Sequence, residues 1–400
     1  MAPGLYPNRG WAFAPARRPL PLMDLPLSLV TESFNPPAAR LLDFDSVGSP
    51  RTLRPRPVGA DASAEANLRA DLAWFWNSNA EWADDQIAVG ESYPDLVRRL
   101  ILPLGFREGD RIVLCASEPD DRRAAWKAAL PEGVEISDWR PRRLGRVLLR
   151  DLEALVNERT RLVMLTKACP VTGSLNEIIP VAQLLEGTDA VLATDASHFM
   201  AHGSLDIRNL RCDAVIADAA ELFGARGATL WARRLGPAAS PNGTVSPNVL
   251  AGLARAVSYA ERLGEAPNAP VAPPSERFGR REPMRKGMQG IRQEERILSR
   301  WMLRGLARIK GVSVLGEDDP RRAAYRIPTF TFTCEGEGAP ALGAALEAEG
   351  VQVGAGDLGC ASTLESLGHD PEAGVVRASL GHYHTRDDVE RFLRALRSLL

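Results

Sequence analysis

Lysine is nearly absent from this sequence, although basic residues as a class are not. Of the 49 lysines and arginines in 400 residues, only four are lysines: Lys127, Lys167, Lys286 and Lys310. Any chemistry that requires a lysine amine therefore has four candidates.

Cysteine and long apolar runs are also scarce. The five cysteines are scattered without a C-x-x-C pair, which is typical of a reducing compartment, so we expect a cytoplasmic protein. No apolar run approaches the roughly 18 residues that a membrane span requires. Prolines interrupt residues 19–26, and the N-terminal stretch is therefore not interpreted as a signal peptide. A net charge of −2 gives no electrostatic reason to expect nucleic acid.

What the sequence does contain is a regular alternation of short apolar runs with helical patterns. The runs at 111–115, 161–165, 190–194, 212–217 and 228–231 are four to six residues long. Apolar strands of this length that alternate with helices are typical of a mostly parallel sheet covered by helices on both faces. The fold class predicted for the central region is therefore α/β.

Composition divides the chain into four parts. Residues 1–63 are rich in proline and are predicted to form an N-terminal arm, and 64–264 form the large α/β domain. Residues 265–290 are rich in proline and charge and are predicted to be a linker. Residues 291–400 are predicted to be a small α+β domain, because 325–333 alternates like a half-exposed strand.

The segment Val376–Thr385, with Asp387–Phe392 after it, resembles the C-terminal signature of class V aminotransferases and cysteine desulfurases. Further segments resemble the family in the expected order, namely 109–118, 171–181, 194–198, Gly243-Thr244 and 251–259. The resemblance covers roughly residues 65–400. It implies fold type I of the pyridoxal-phosphate (PLP) enzymes, with a seven-stranded large domain, a small C-terminal domain and a homodimer.

The chain departs from the family where the cofactor would be bound. The lysine that holds PLP aligns with Glu221, which cannot form an imine. The ring-stacking histidine aligns with Pro119, and the asparagine at the ring hydroxyl aligns with Pro170. The phosphate-binding Gly-Thr-Thr aligns with Gly90-Glu91-Ser92, which places a carboxylate beside the position of a dianion. From these losses we expect no cofactor.

Several family positions are retained, and each has two interpretations. Ser92, Asp195 and Thr244 are interpreted as remnants of the cofactor site, in which the resemblance implies that Asp195 pairs with the pyridine nitrogen of PLP. Asp195 is equally well explained as a helix cap. Arg377 would hold a substrate carboxylate in the family, since a guanidinium forms a bidentate pair with it, or it pairs with an acidic neighbour. His198 is predicted to line the same pocket.

Three hypotheses for function follow. The first is a pseudoenzyme or small-molecule-binding protein whose ligand is a small carboxylate or amino-acid-like molecule. The second is an enzyme that reuses the pocket, with Glu221 and Asp195 as a carboxylate pair of which one member has a raised pKa. The third is a PLP-dependent enzyme with another lysine, for which Lys167 at a strand end is the best candidate, although solvent exposure explains that residue more simply.

Two further features have a structural explanation as the default. Cys360 lies near the position of the desulfurase nucleophile, and a buried small side chain explains it more simply. His198 and His202 are spaced i, i+4 beside Asp195, which is compatible with a divalent metal, but family members carry the second histidine without one. No metal is therefore predicted.

Overall fold

The structure is a computed structural model, and it describes residues 25, 27–34, 42–45, 52–54, 64–78, 80–142, 144–233, 245–265 and 281–400. Its strands are β1 Leu42–Asp43, β2 Ile87–Gly90, β3 Arg111–Cys115, β4 Glu135–Trp139, β5 Thr160–Thr166, β6 Val191–Asp195, β7 Ala214–Asp218, β8 Ala228–Ala232, β9 Val312–Val314, β10 Thr329–Cys334, β11 Val351–Gln352, β12 Gly354–Gly356 and β13 Val375–Ser379. Most of the predicted apolar runs lie in these strands.

The α-helices are α1 Leu27–Ser33, α2 Ala64–Phe75, α3 Ala83–Gln86, α4 Tyr93–Ile101, α5 Asp120–Ala129, α6 Leu149–Glu153, α7 Ile178–Leu184, α8 Ser197–Met200, α9 Ile207–Leu210, α10 Pro247–Gly264, α11 Arg281–Leu306, α12 Ala339–Ala348, α13 Ala361–Ser366 and α14 Arg386–Leu399. Short 3-10 helices lie at Ala80–Trp82, Leu102–Leu104, Ala219–Glu221 and Pro320–Tyr325. None of the described helices is long and apolar enough to cross a membrane.

Seven strands form the central sheet, in the order β2-β8-β7-β6-β5-β3-β4. Strands β3 to β7 are parallel, and β8 runs antiparallel to both of its neighbours, β7 and β2. Both faces are covered, because Ile112 and Leu114 belong to one apolar core and Val113 between them belongs to another. The carboxyl ends of β2, β3, β5, β6 and β7 consequently meet at one edge.

The small domain has its own antiparallel sheet, in the order β12-β13-β10-β9. Its separate apolar core is built around Phe330, Phe332 and Phe392. The N-terminal arm crosses this domain, because β1 pairs in parallel with β11 and Asp45 forms a bridge with Ser379.

One predicted boundary is wrong. The linker expected over 265–290 ends earlier, because α11 begins at Arg281 and continues without interruption to Leu306. Pro283 lies in its first turn, where a missing N–H and a fixed φ are compatible with a helix. Residues 266–280 lie outside the described part of the chain.

Helices α10 and α11 cross so closely that glycine is required at the contact. A Cβ on Gly287 would collide with the carbonyl oxygen of Ala260 and lie 3.1 Å from the backbone nitrogen of Gly264. Backbone atoms cannot move aside as a flexible side chain can. The crossing brings the start of α11 against the end of α10.

We predict that Gly287→Ala lowers the free energy of unfolding by about 1–3 kcal/mol, the usual cost of overpacking. The control is Gly252→Ala in α10, where the nearest atom to a new Cβ is the backbone nitrogen of Arg226 at 3.4 Å. Chemical denaturation of both variants measures the difference. Equal stability of the two would contradict the close crossing.

Candidate functional site

The candidate site lies where the carboxyl ends of the parallel strands meet. In parallel sheets this edge is where ligands bind, since the chain leaves each strand there and its side chains converge. Glu118 follows β3, Thr166 ends β5, Asp195 ends β6 and Asp218 ends β7. Three of these four side chains are carboxylates.

Glu221 lies in this group, at the end of the short helix that follows β7. Its Oε1 accepts a hydrogen bond from Nη2 of Arg122 at 2.8 Å, and its Oε2 contacts the ring Nδ1 of His198. Only 11% of the Glu221 side chain is exposed. One carboxylate oxygen is therefore hydrogen-bonded to Arg122, and the other lies against the ring of His198.

These contacts fix the charge of Glu221. Burial alone would raise its pKa, but His198 and Arg122 outweigh burial and lower the pKa of Glu221 to about 2. Glu221 is therefore not the member with a raised pKa in the predicted Glu221–Asp195 pair. The sequence predicts that His198 lines the same pocket, and the structure places His198 against Glu221.

Arg122 is the residue that sequence reasoning missed. Besides Glu221, its guanidinium lies 3.8 Å from Oδ1 of Asp195 and 3.9 Å from Oδ2 of Asp218, and it lies over the ring of Tyr93. A signal for it exists in the sequence. Arg122 is four residues before Trp126 in α5, so the two share one helix face, and Trp126 is fully buried.

The Asp195 carboxylate accepts two hydrogen bonds from Ser197, the first residue of α8. Its Oδ1 accepts the backbone N–H of Ser197 at 2.8 Å and its Oδ2 accepts the Ser197 hydroxyl at 3.2 Å, at the start of α8. The Ser197 hydroxyl in turn accepts the backbone N–H of Asp218. The Asp195 side chain thus bonds the first residue of α8, although the N-cap residue is Ala196, and the proximity of Arg122 leaves the carboxylate in the site as well.

The carboxyl group with a strongly raised pKa is Glu118. It is fully buried, its Oε1 accepts a hydrogen bond from the Thr166 hydroxyl at 2.6 Å, and its Oε2 has no hydrogen-bond partner. Burial raises the pKa of Glu118 well above its usual range, and the charge of Asp195 adds to the effect. Burial also raises the pKa of Asp218. Burial therefore disfavours the charged form of both of these carboxyl groups.

A pocket of about 190 Å³ opens beside Arg122. Its lining residues are Glu91, Ser92, Tyr93, Pro94, Asp121, Arg122, Ala125, Asp218 and Gly227. Ser92 is the N-cap residue of α4, and the Glu91 carboxylate contacts the backbone N–H and the hydroxyl of Ser246. The expected carboxylate beside the phosphate position is thus in place, while Gly243-Thr244 lies outside the described residues.

Arg377 lies in the other sheet, on β13. Its Nη2 pairs with Oδ1 of Asp45 at 3.2 Å, so it has the acidic neighbour that the sequence allowed for. Its side chain is only 6% exposed, and its buried Nε has no hydrogen-bond partner. One donor of the guanidinium is therefore without a partner, although Arg377 does not line the pocket beside Arg122.

Lys167, the candidate for an alternative PLP lysine, is engaged in contacts outside the pocket. Lys167 donates from Nζ to the carbonyl oxygen of Asn176 at 2.7 Å and lies over Phe199, whereas its neighbour Thr166 reaches Glu118. The charges that act on Lys167 come from Arg292, Glu177 and Arg146, and not from the acidic edge. Burial lowers the pKa of Lys167 to about 8. This lysine is reactive in principle but lies outside the pocket.

Neither Cys360 nor the histidine pair supports the chemistry considered for it. Cys360 is buried in an apolar cluster, and burial raises the pKa of its thiol, which opposes a thiolate nucleophile. His202 pairs with Glu295 at 2.9 Å rather than with His198. No group of three or more metal-ligating side chains occurs among the described residues.

Residues 94–254 and 281–392, more than half of the chain, match the family model of class-V aminotransferases. The chain belongs to the class-V aminotransferase family. An aminotransferase-like protein of Gibberella zeae is 27% identical over 330 residues, 79% of each protein. A cysteine desulfurase of Yersinia pseudotuberculosis is 24% identical over 321 residues, 73% of this chain and 71% of the relative.

Solved structures agree on the fold. A cysteine desulfurase from Thermococcus onnurineus superposes with a TM-score of 0.76 at 18% identity, over 94% of this chain and 98% of that chain. The cysteine desulfurase CsdA from Escherichia coli gives 0.74 at 15% identity, over 94% and 99%. The predicted PLP-transferase fold of type I is confirmed.

The expectation that no cofactor binds is wrong against these comparisons. The class-V aminotransferase family, with the cysteine desulfurases among its relatives and structural neighbours, points to PLP. The site as arranged here does not fit that group, because position 221 has no amine and Arg122 lies between Asp195 and Glu221. Glu91 and Asp218 in the pocket lining also oppose a phosphate dianion.

We predict that Glu221→Gln lowers the free energy of unfolding at pH 7 by about 3 kcal/mol, because it leaves the buried Arg122 without its closest partner. The folded-state pKa of Glu221 is depressed to about 2. The stability difference from wild type should therefore be complete above the unfolded-state value of about 4.3 and disappear as the pH falls through about 2.

The matched control is Glu186→Gln, which removes an ion pair of 2.6 Å with Arg211 from a side chain that is 63% exposed. That change should cost less than about 1 kcal/mol. Denaturant unfolding as a function of pH measures both variants. A Glu221→Gln effect no larger than the control would show that the buried pair does not stabilise the fold.

Proposed function

We propose that this chain is an aminotransferase-like pseudoenzyme, which does not carry out imine chemistry at position 221 and binds a small amino-acid-like or carboxylate-bearing molecule. The observation that carries the proposal is that one oxygen of the Glu221 carboxylate is bonded to Arg122 and the other contacts His198. A nucleophilic amine is the first requirement of the family's chemistry, and here a carboxylate with a pKa of about 2 takes its place.

Retained binding groups support a role in ligand binding. A polar pocket persists beside Arg122, and Arg377 keeps a buried Nε without a hydrogen-bond partner. A buried unpaired donor costs free energy unless something satisfies it, and a ligand carboxylate would do so. The homodimer expected from the resemblance remains a prediction.

Acid–base catalysis by the acidic edge is less well supported. The carboxyl group with the strongly raised pKa, Glu118, is fully buried and does not line the pocket. A general acid must reach the group that it protonates. The pseudoenzyme proposal is therefore preferred.

A screen of free amino acids by thermal shift tests the ligand. We predict that hits with wild type bind Arg377→Lys more weakly by about 1–3 kcal/mol, because a lysine lacks the planar fork that holds a carboxylate. The control is Arg142→Lys, whose partner Asp151 lies in an exposed ion pair of 2.8 Å far along the chain from Arg377. Hits of equal strength in both variants would make Arg377 purely structural, and a screen without hits would contradict ligand binding.

Incubation with PLP followed by borohydride and peptide mapping tests the alternative of a PLP enzyme with another lysine. We predict no adduct at Lys167 above the level at the exposed Lys127, because the Lys167 amine is engaged with Asn176 and lies outside the pocket. Selective trapping at Lys167 would overturn the pseudoenzyme proposal.

A further inference from the structure

The site contains a cation of its own. The Arg122 side chain is 9% exposed, and its guanidinium lies within 4 Å of carboxylate oxygens of Asp195, Asp218 and Glu221. Desolvating a guanidinium is costly, and it is tolerated here because opposite charges surround it. Arg122 is thus the permanent positive charge against which these carboxylates are balanced.

The bonding of Arg122 is nevertheless incomplete. Nη2 is bonded to Glu221, whereas the buried Nη1 has no hydrogen-bond partner and lies 3.8 Å from Asp195. The pocket of about 190 Å³ lies against the same side chain. The guanidinium is therefore held firmly at one nitrogen and loosely at the other.

The position of Arg122 bears directly on the cofactor to which the family points. The resemblance assigns the pyridine nitrogen of PLP to Asp195 and the covalent attachment to position 221. Arg122 contacts both of those residues. PLP and Arg122 would therefore compete for the carboxylate of Asp195 as their counter-ion.

We propose that Arg122 and PLP are mutually exclusive occupants of the site, because both would pair with Asp195. This inference rests on the family assignment and on the proposed loss of imine chemistry at position 221. A protein whose competent state is a minor population binds its ligand more weakly by that fraction. Arg122 thus sets the apparent affinity of the site for PLP.

The experiment restores the amine and then removes the competitor. Glu221→Lys and the double variant Glu221→Lys/Arg122→Gln are titrated with PLP and then reduced with borohydride. The reduced adduct on the peptide that carries position 221 is measured by mass spectrometry. We expect the double variant to reach half-saturation at a PLP concentration about tenfold or more below that of Glu221→Lys alone. Equal concentrations, or no adduct in either folded variant, would overturn the proposal.

The matched control is Glu221→Lys/Arg123→Gln. Arg123 is the next residue in α5 and is also buried, but its guanidinium pairs with Asp138 of β4. The Arg123→Gln substitution removes the same charge but leaves Arg122 beside Asp195. The half-saturating PLP concentration should therefore stay that of Glu221→Lys alone. A gain equal to that of the Arg122 variant would show that net charge, and not occupancy, controls binding, and would overturn the proposal.

A second pair keeps the test decisive if Arg122→Gln prevents folding. Glu221→Lys/Arg122→Lys keeps a cation at position 122 but lacks the planar fork that reaches Asp195 and Glu221 together. Adduct formation should then improve about threefold or more over Glu221→Lys alone. The thermal-shift screen with wild type is independent of these variants, so failure of this inference and failure of the ligand-binding proposal are seen separately.

Discussion

The buried ion pair between Arg122 and Glu221 is the contact on which the site depends. It joins helix α5, which follows β3, to the short helix that follows β7, and His198 on α8 completes the contact from the end of β6. Elements that leave three strands of the sheet are thus tied together by charge. Since a buried ion pair stabilises only when both partners are present, the three residues form one unit.

The parallel sheet explains why so many carboxylates meet. Asp195 ends β6, Asp218 ends β7 and Glu118 follows β3, so all three lie at the same edge of the sheet. The pairing of β5 with β6 also aligns Thr166 with Asp195. The edge is suited to a cationic or zwitterionic group, and Arg122 supplies part of that charge from within the chain. Burial raises the pKa of Glu118 and of Asp218, which disfavours the charged form of each.

The second basic residue of interest is held by a different part of the molecule. Arg377 lies on β13 of the small domain and pairs with Asp45, which the N-terminal arm brings to the sheet. The arm therefore contributes an acidic partner to a family position. Sequence reasoning allowed for such a partner but could not identify it, because the two residues are more than 300 positions apart.

The sequence by itself determined the fold class, the order of the strands along the chain and the family. Apolar runs such as 111–115 and 161–165 admit few other interpretations, and the resemblance places Glu221 at the position of the family's lysine. It did not determine the start of α11, since proline and charge suggested a loop where a proline in the first helical turn is tolerated. Only the tertiary structure decided which charges meet. In sequence, Arg122 is one of two adjacent arginines in a polar helix, and its inward direction follows from how α5 packs on the sheet beside Trp126. The same packing decided that Glu118, and not Glu221, has the raised pKa, because a pKa depends on burial and neighbouring charge, and both are properties of the folded chain.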